Sequence, residues 1–596
     1  MKKLLILAVL TALNIQCQHN QTPARVDYTS LQKYLTQQLT EAIYYTRKLQ
    51  TSETPQELIN NFISARKYYK RAEPFCRVIN AESTHKINGP PLPIYKDDSG
   101  KILEPVGYQA IGDQVYADAI DSSTFKYQTD VTIGYLTNLI ELINRFPPNS
   151  RRFFPAIHQE LLSIFSLSIT GFDTPTSLIG IQEAASSLEN IEQMYRLVLA
   201  DTIRLLDISL DQQFTTDLQE AITYLKQNHE FETFDRYFFG RSHINRLTAD
   251  WVAIRKTSGL YPNPKNLAIN LDAPTFFEKN SFCADFFLTA GSGNITSEKL
   301  DLGKRLFYDK ALSSSGNLSC GSCHQPGQAF QDGMTVGKDK NGKDLLRNTP
   351  TLINSVFQQK FFWDGRSDNL EQQITIVFDN PSEFNNDAHK LRTSEVLKDS
   401  SYQAVFHLAY PQKEFDRAAI IEALAAYTGS LTSLDSRFDQ NMRGELDDFT
   451  SQEVLGMNLF MGKALCSTCH FMPLTNGTVP PLFHETEKEI LGVPETAENE
   501  QLDDDLGFYW VFEQEIHKSM FKTPTIRNIA LTAPYMHNGV YDSLEQVMDF
   551  YNQGGGAGLG FDVPHQTLPF DSLSLSNNEI NAIIAFMHTL TDEGEY

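Results

Sequence analysis

Past its first residues this chain has no apolar run long enough to span a bilayer as a helix. Basic residues are in short supply: 50 Lys and Arg stand against 74 Asp and Glu, a formal charge of −24. That excludes nucleic acid as a partner, because binding it takes a basic footprint. Alternating strand patterns are scarce, so an all-β fold is excluded as well. Cysteine and histidine are sparse, 7 and 14 in 596 residues. What remains is an ordinary globular composition, 41% hydrophobic and 21% charged. The length suits about three or four domains.

The sparse cysteines are not scattered. Cys320-Gly321-Ser322-Cys323-His324 and Cys466-Ser467-Thr468-Cys469-His470 repeat one pattern, C-x-x-C-H. Two thiols at this spacing can each add to a vinyl group of one haem, and the adjacent imidazole reaches its iron. Chance would produce one such string in roughly a few chains per thousand of this make-up. A zinc half-site would want more Cys or His close by. A thioredoxin-type motif has no need of the His. The chain therefore carries two covalent haem c sites, Cys320, Cys323 and His324, then Cys466, Cys469 and His470.

Lys2 and Lys3 precede an apolar run from Leu4 to Leu13, which reads as an export signal over residues 1–17. Cys17 follows closely, as in a bacterial lipoprotein signal, and would become the lipid anchor. The flank Asn14-Ile15-Gln16 fits that signal poorly, and simple cleavage is the alternative. Export places the chain in the periplasm, where haem attachment occurs in bacteria. It also permits a disulfide between Cys76 and Cys283, two separate buried thiols being the other reading.

Residues 25–280 read as a helical domain. Leu31, Tyr34, Leu35, Leu39 and Ile43 recur at helical steps, and a second run follows Pro55. Asn88-Gly89-Pro90-Pro91-Leu92-Pro93 is a rigid break. Further helices are expected near residues 130–146, 155–167, 187–206, 216–226 and 232–257. The stretch Leu260–Pro274 reads as a linker. The run Arg66–Glu73 faintly resembles the helical domains of imelysin-like exported proteins, and no residue carries over. This domain would bind a partner, cover the haem-bearing half of the chain or scaffold it. Ser297–Tyr308 reads as a helix with Gly303 on its inner side, and Glu579–Asp592 as the closing helix.

From about residue 296 to 592 the chain resembles the bacterial dihaem cytochrome c peroxidase family, including its MauG-like branch. The resemblance rests on both haem motifs and on Gln328–Gly333, Arg347–Leu352, Phe362–Arg366, Leu370–Gln373 and Asn380–Glu383. It continues through Phe521–Asn528, Leu531–Gly539 and Leu544–Gln546. It implies a mainly α fold, with a helical N-terminal domain followed by two cytochrome c-like haem domains, 290–440 and 441–596. The first would carry the peroxidatic haem and the second the electron-transfer haem. Glu383 matches the acid–base residue, Gln373 the distal amide and Trp363 the aromatic between the haems. A calcium ion between the domains is implied too, on the Asn348 side chain and the carbonyls of Thr532 and Pro534. The implied partners are hydrogen peroxide and a donor such as a small cytochrome c, which the acidic surface suits. Frequent dimers in the family make a homodimer the expectation.

This sequence departs from the family at several positions. The loop from Gln325 to Leu346 holds no His to close the first haem, which should stand open; Met334 and Lys338 are the other candidates there. Placing Leu544-Glu545-Gln546 on the family pattern puts Tyr551, not Met, at the second haem's sixth position, as in the MauG-like branch. Met536 and Met548 are the alternatives. Phe384 and Val377 stand where Met and Pro are common, in the region of the distal pocket. The leading reading is a peroxidase. A MauG-like oxidase acting on a protein or small-molecule substrate is the second, and a non-enzymatic dihaem electron carrier the third.

Overall fold

The computed structural model describes residues 26–96, 99–386, 393–569, 571–592 and 594. The export signal and Cys17 lie outside them. None of the described helices is long and apolar enough to cross a membrane.

The chain begins with a helical array. The helices Thr29–Leu49, Pro55–Ile79 and Ser122–Arg145 pack side by side, and Gly180–Val198 lies against Ile208–Gln227. Each long helix buries one stripe, such as Leu31, Leu35, Leu39 and Ala42 on the first. Side-chain caps set several starts: Thr54 accepts from the Glu57 amide and Asn149 from that of Arg152. That cap starts the Ser150–Ser163 helix before Pro155, where the sequence suggested it begins. Pro155 lies inside the helix, and directly after Ser163 the chain widens into π-helix at Ile164–Ser168. A short hairpin, Ile94–Lys96 with Lys101–Leu103, was not legible in the sequence.

The stretch read as a linker is not free. Ala268, Ile269, Leu271 and Ala273 are buried, and Ile269 bridges to Phe282. Cys76 and Cys283 are separate thiols, the first buried and the second half-buried.

Two helix pairs of matching build come next along the chain. Ser297–Phe307 crosses Arg417–Ser430, and Ser451–Phe460 crosses Asn577–Thr589. Glycine permits each close approach. A Cβ on Gly303 would stand 2.2 Å from the Ala423 carbonyl oxygen, and one on Gly456 would stand 1.9 Å from that of Ala582. Each pair brackets one C-x-x-C-H motif.

The apolar cores divide unevenly. Most buried apolar residues from Leu302 to Leu431 form a separate cluster around the first motif, while Val356, Phe357, Phe361, Leu370 and Ala425 join the larger one. The N-terminal helices instead share a continuous cluster with the region of the second motif, from Leu31 through Trp251 and Met472 to Leu590. Polar contacts fasten the same seam. Ser166 Oγ donates to the Met472 carbonyl at 2.6 Å, and the Arg236 and Tyr237 amides both donate to Asn458 Oδ1.

Candidate active site

The first motif forms a single helical turn, Cys320–Cys323, capped reciprocally by Ser319 and Ser322. The His324 Nδ1 lies 3.0 Å from the Phe330 carbonyl oxygen. A carbonyl only accepts, so the proton sits on Nδ1 and Nε2 is left to face an iron. The second motif repeats this: His470 Nδ1 lies 3.1 Å from the Pro524 carbonyl oxygen. Burial pulls both rings down, His470 to about 4, so both are neutral as ligands must be.

Glu383 follows the helix Leu370–Asp379, whose N-cap is Asn369. Its Oε2 accepts from Asn380 Nδ2 at 2.5 Å. Burial pushes the carboxyl up, against the pull of Asn380 and of the Arg366 guanidinium. Burial is the main cause that pushes the thiols of Cys320 and Cys323 up, and the Glu383 carboxylate adds a smaller push at each. A half-buried carboxyl that burial pushes above its usual range is suited to take and return a proton. Gln373 is half-buried on the preceding helix. Phe384 is buried against Phe378, ring centroids 5.3 Å apart. Met334 is 42% exposed and Lys338 pairs with Asp344, which directs both away from His324.

Trp363 stands where the two haem regions meet. Its Nε1 donates to the Asn348 carbonyl at 2.9 Å, and its own carbonyl accepts from the Lys522 amide at 2.7 Å. Nearby, Arg347 bridges the regions by pairing with Asp364 on one side and Asp505 on the other, each at 2.6 Å.

A cavity of about 560 Å³ opens at the second motif. Cys466, Cys469, His470 and Trp363 line it, as do Tyr551, Met548 and Met536. Burial, followed by the Cys469 and Cys466 thiols, drives the Tyr551 phenol well above its usual range. Tyr551 thus shares one cavity wall with Cys466, Cys469 and His470. Asn348, Thr532 and Pro534 border the same cavity. The Asn348 Nδ2 donates to the carbonyls of Met334 and Thr335, which turns Oδ1 away from them. An amide oxygen and backbone carbonyls are the kinds of oxygen donor that a hard cation takes.

Several residues here were not singled out from the sequence. Glu487, pushed up to about 8 by burial, and Glu489, which accepts from Cys469 Sγ at 3.3 Å, border the second cavity. Lys522, pulled down to about 8 by burial, donates to Gln358 at 2.5 Å. Lys522 sits inside a stretch that carries the resemblance, a signal that could have found it. Glu487 precedes and Glu489 lies in the short strand Lys488–Ile490, which carries no such signal. The N-terminal helical array also reaches this cavity, through Pro90, Pro91, Leu92, Phe172, Pro175 and Leu178.

Comparison with known proteins agrees with this geometry. A profile described as di-haem cytochrome c peroxidase matches residues 297–447. A cytochrome-c peroxidase, IdrP2, of Denitromonas iodatirespirans is 34% identical over 326 residues, 51% of this chain and 84% of that protein. The methylamine utilization protein MauG of Paracoccus denitrificans (strain Pd 1222) is 32% identical over 343 residues, 49% of this chain and 88% of that protein. A solved MauG-like protein associated with microbial copper homeostasis is 32% identical, covering 50% of this chain and 91% of its own, with a TM-score of 0.44. The chain belongs to the dihaem cytochrome c peroxidase family, in its MauG-like branch, and is a dihaem peroxidase, an oxidoreductase.

Proposed function

We propose that hydrogen peroxide is reduced at the haem held by Cys320, Cys323 and His324, with electrons supplied through the haem held by Cys466, Cys469 and His470. When bound, the haems supply the redox chemistry; the protein supplies orientation, protons and access. The observation that carries the reading is Glu383, a half-buried carboxyl held by Asn380 and shifted by burial toward its protonated form, in the segment after the helix that bears Gln373.

Glu383 takes the proton from the near oxygen of peroxide and returns it to the far one, so that water can leave. Asn380 fixes the carboxyl's direction. Gln373 orients peroxide from the neighbouring helix. Trp363, hydrogen-bonded at both its indole and its carbonyl, is the rigid aromatic between the two sites. The loop 325–346 brings no His and directs Met334 and Lys338 outward, which supports a first site open in the resting protein.

The two haem domains span about residues 290–440 and 441–596, a division supported by the paired glycine crossings at Gly303 and Gly456. Calcium sits at Asn348, Thr532 and Pro534, where it ties the domains together. The protein is exported to the periplasm and anchored through Cys17, and its donor is a small cytochrome c.

Tyr551 favours a second reading. A phenolate at the second haem stabilises ferric iron and lowers the potential. That suits an oxidase acting on a protein or small-molecule substrate better than a peroxidase fed by a donor. Turnover of peroxide with a reduced small cytochrome c separates the two. Rapid donor oxidation supports the first, and slow oxidation with lasting spectral change at both haems supports the second.

A further inference from the structure

The N-terminal helical array is joined to the second haem region by a shared core and reaches its cavity with mostly apolar residues, beside the polar Gln109, Asp113 and Thr176. Leu92 and Leu178 line that cavity and are each 38% exposed. Phe172 packs edge-on against Phe471, the residue after His470, at 5.0 Å. These groups come from two loops, 89–93 and 171–178.

Behind the loops lies a cluster of buried charges. Arg66 is 1% exposed and grips Glu183 through two nitrogens, at 2.7 and 2.8 Å. It also donates to Asn88 Oδ1 and to the Asp173 carbonyl, both at 2.9 Å. Lys70 donates to Asp173 Oδ2 at 2.8 Å, and Asn88 Nδ2 donates to Asp173 Oδ1 at 3.1 Å. The Gln109 Nε2 ties the loops together, donating to the carbonyls of Asn88 at 2.9 Å and Phe172 at 3.1 Å. Asn88 begins one loop, and Phe172 and Asp173 sit in the other. Buried ion clusters add little net stability but fix geometry, because every partner must be in place. Here they fix the two loops that face the cavity.

We propose that the N-terminal domain is a wall of the second haem site. Pro90, Pro91, Leu92, Phe172, Pro175 and Leu178 close over the edge of the haem attached at Cys466 and Cys469, and the ion cluster holds them there. This rests on haem attachment at that motif. A mostly apolar edge disfavours the extra positive charge of ferric iron, so the wall raises the potential that a Tyr551 phenolate would lower. It also takes that edge away from any docking partner, so the electron donor must approach from another face.

The test uses the full-length holoprotein with Leu92→Asp, Leu92→Lys and Leu178→Asn. Leu92 lies in a loop, and Leu178 has a left-handed backbone (φ 52) that Asn adopts more easily, so each variant should fold. Haem content is read by mass and pyridine haemochrome, and each haem's potential by spectroelectrochemical titration. The expected result is two haems in every variant and an unchanged first-haem potential. The second-haem potential should lie lower in Leu92→Asp than in Leu92→Lys, and should fall in Leu178→Asn. Variants with two haems that all titrate like the parent would overturn the wall. A parent with no haem on Cys466 and Cys469 would overturn the attachment it rests on, a different and separately visible result.

Discussion

The Trp363 indole donates to the backbone carbonyl of Asn348 at 2.9 Å, so the aromatic between the haem sites is fastened to the residue at the proposed calcium site. Ring orientation and domain junction are thereby one structural unit. Replacing Trp363 with Phe keeps an aromatic but removes the hydrogen bond. Oxidation of a reduced cytochrome donor should slow, while haem content and the first reaction with peroxide stay as in the parent. Stopped-flow measurement of both steps checks this. Removing calcium with a chelator should slow the same transfer step, and added calcium should restore it.

Tyr551 lines the same cavity as the second haem's attachment thiols and His470. Tyr551→Met should raise the second haem's reduction potential, since thioether ligation favours ferrous iron and phenolate ligation ferric. Spectroelectrochemistry reads the shift. An unchanged potential would assign the ligand to Met548 or Met536, which border the same cavity.

The glycine crossings give a stability prediction. Gly456→Ala drives a Cβ to 1.9 Å from the Ala582 carbonyl oxygen and should cost about 1–3 kcal/mol or more. Gly134 lies on the exposed side of Ser122–Arg145 with nothing within 4 Å of a built Cβ. Gly134→Ala should therefore stabilise by roughly 0.5–1 kcal/mol. Thermal unfolding of the two variants should move in opposite directions.

Acid should loosen the junction between the haem domains. Burial pulls Asp505 up, but Arg347 outweighs it and holds the carboxyl below the usual range. A depressed acid adds stability that is present above the unfolded value of about 3.9 and is lost as pH falls through the folded value. Melting temperature should thus fall across that acidic window, and Arg347→Met should flatten the dependence.

Legibility in the sequence tracks how local the chemistry is. The haem motifs are contiguous, and their chemistry needs the residues at that spacing, so Cys320–His324 and Cys466–His470 could be read directly. Glu383 and Trp363 are separated from them in sequence and were legible only through the family resemblance. The role of Pro90–Leu92 and Phe172 arises from how one helical array docks on another domain, which no local pattern encodes. Helix starts failed where a cap overrode a proline, as Asn149 did for Pro155. Gly303 was expected on an inner face, and its reason for being glycine became visible only with Ala423 opposite.

The central claim is that Glu383 moves the proton at an open first haem. Peroxide is mixed with the ferric protein and with Glu383→Gln, each with a reduced small cytochrome c, and donor oxidation is followed by absorbance. The account predicts fast oxidation by the parent and a loss of about 10²–10⁴-fold in the variant, with both haems still attached. A variant as fast as the parent, or a parent that does not react with peroxide, would contradict it.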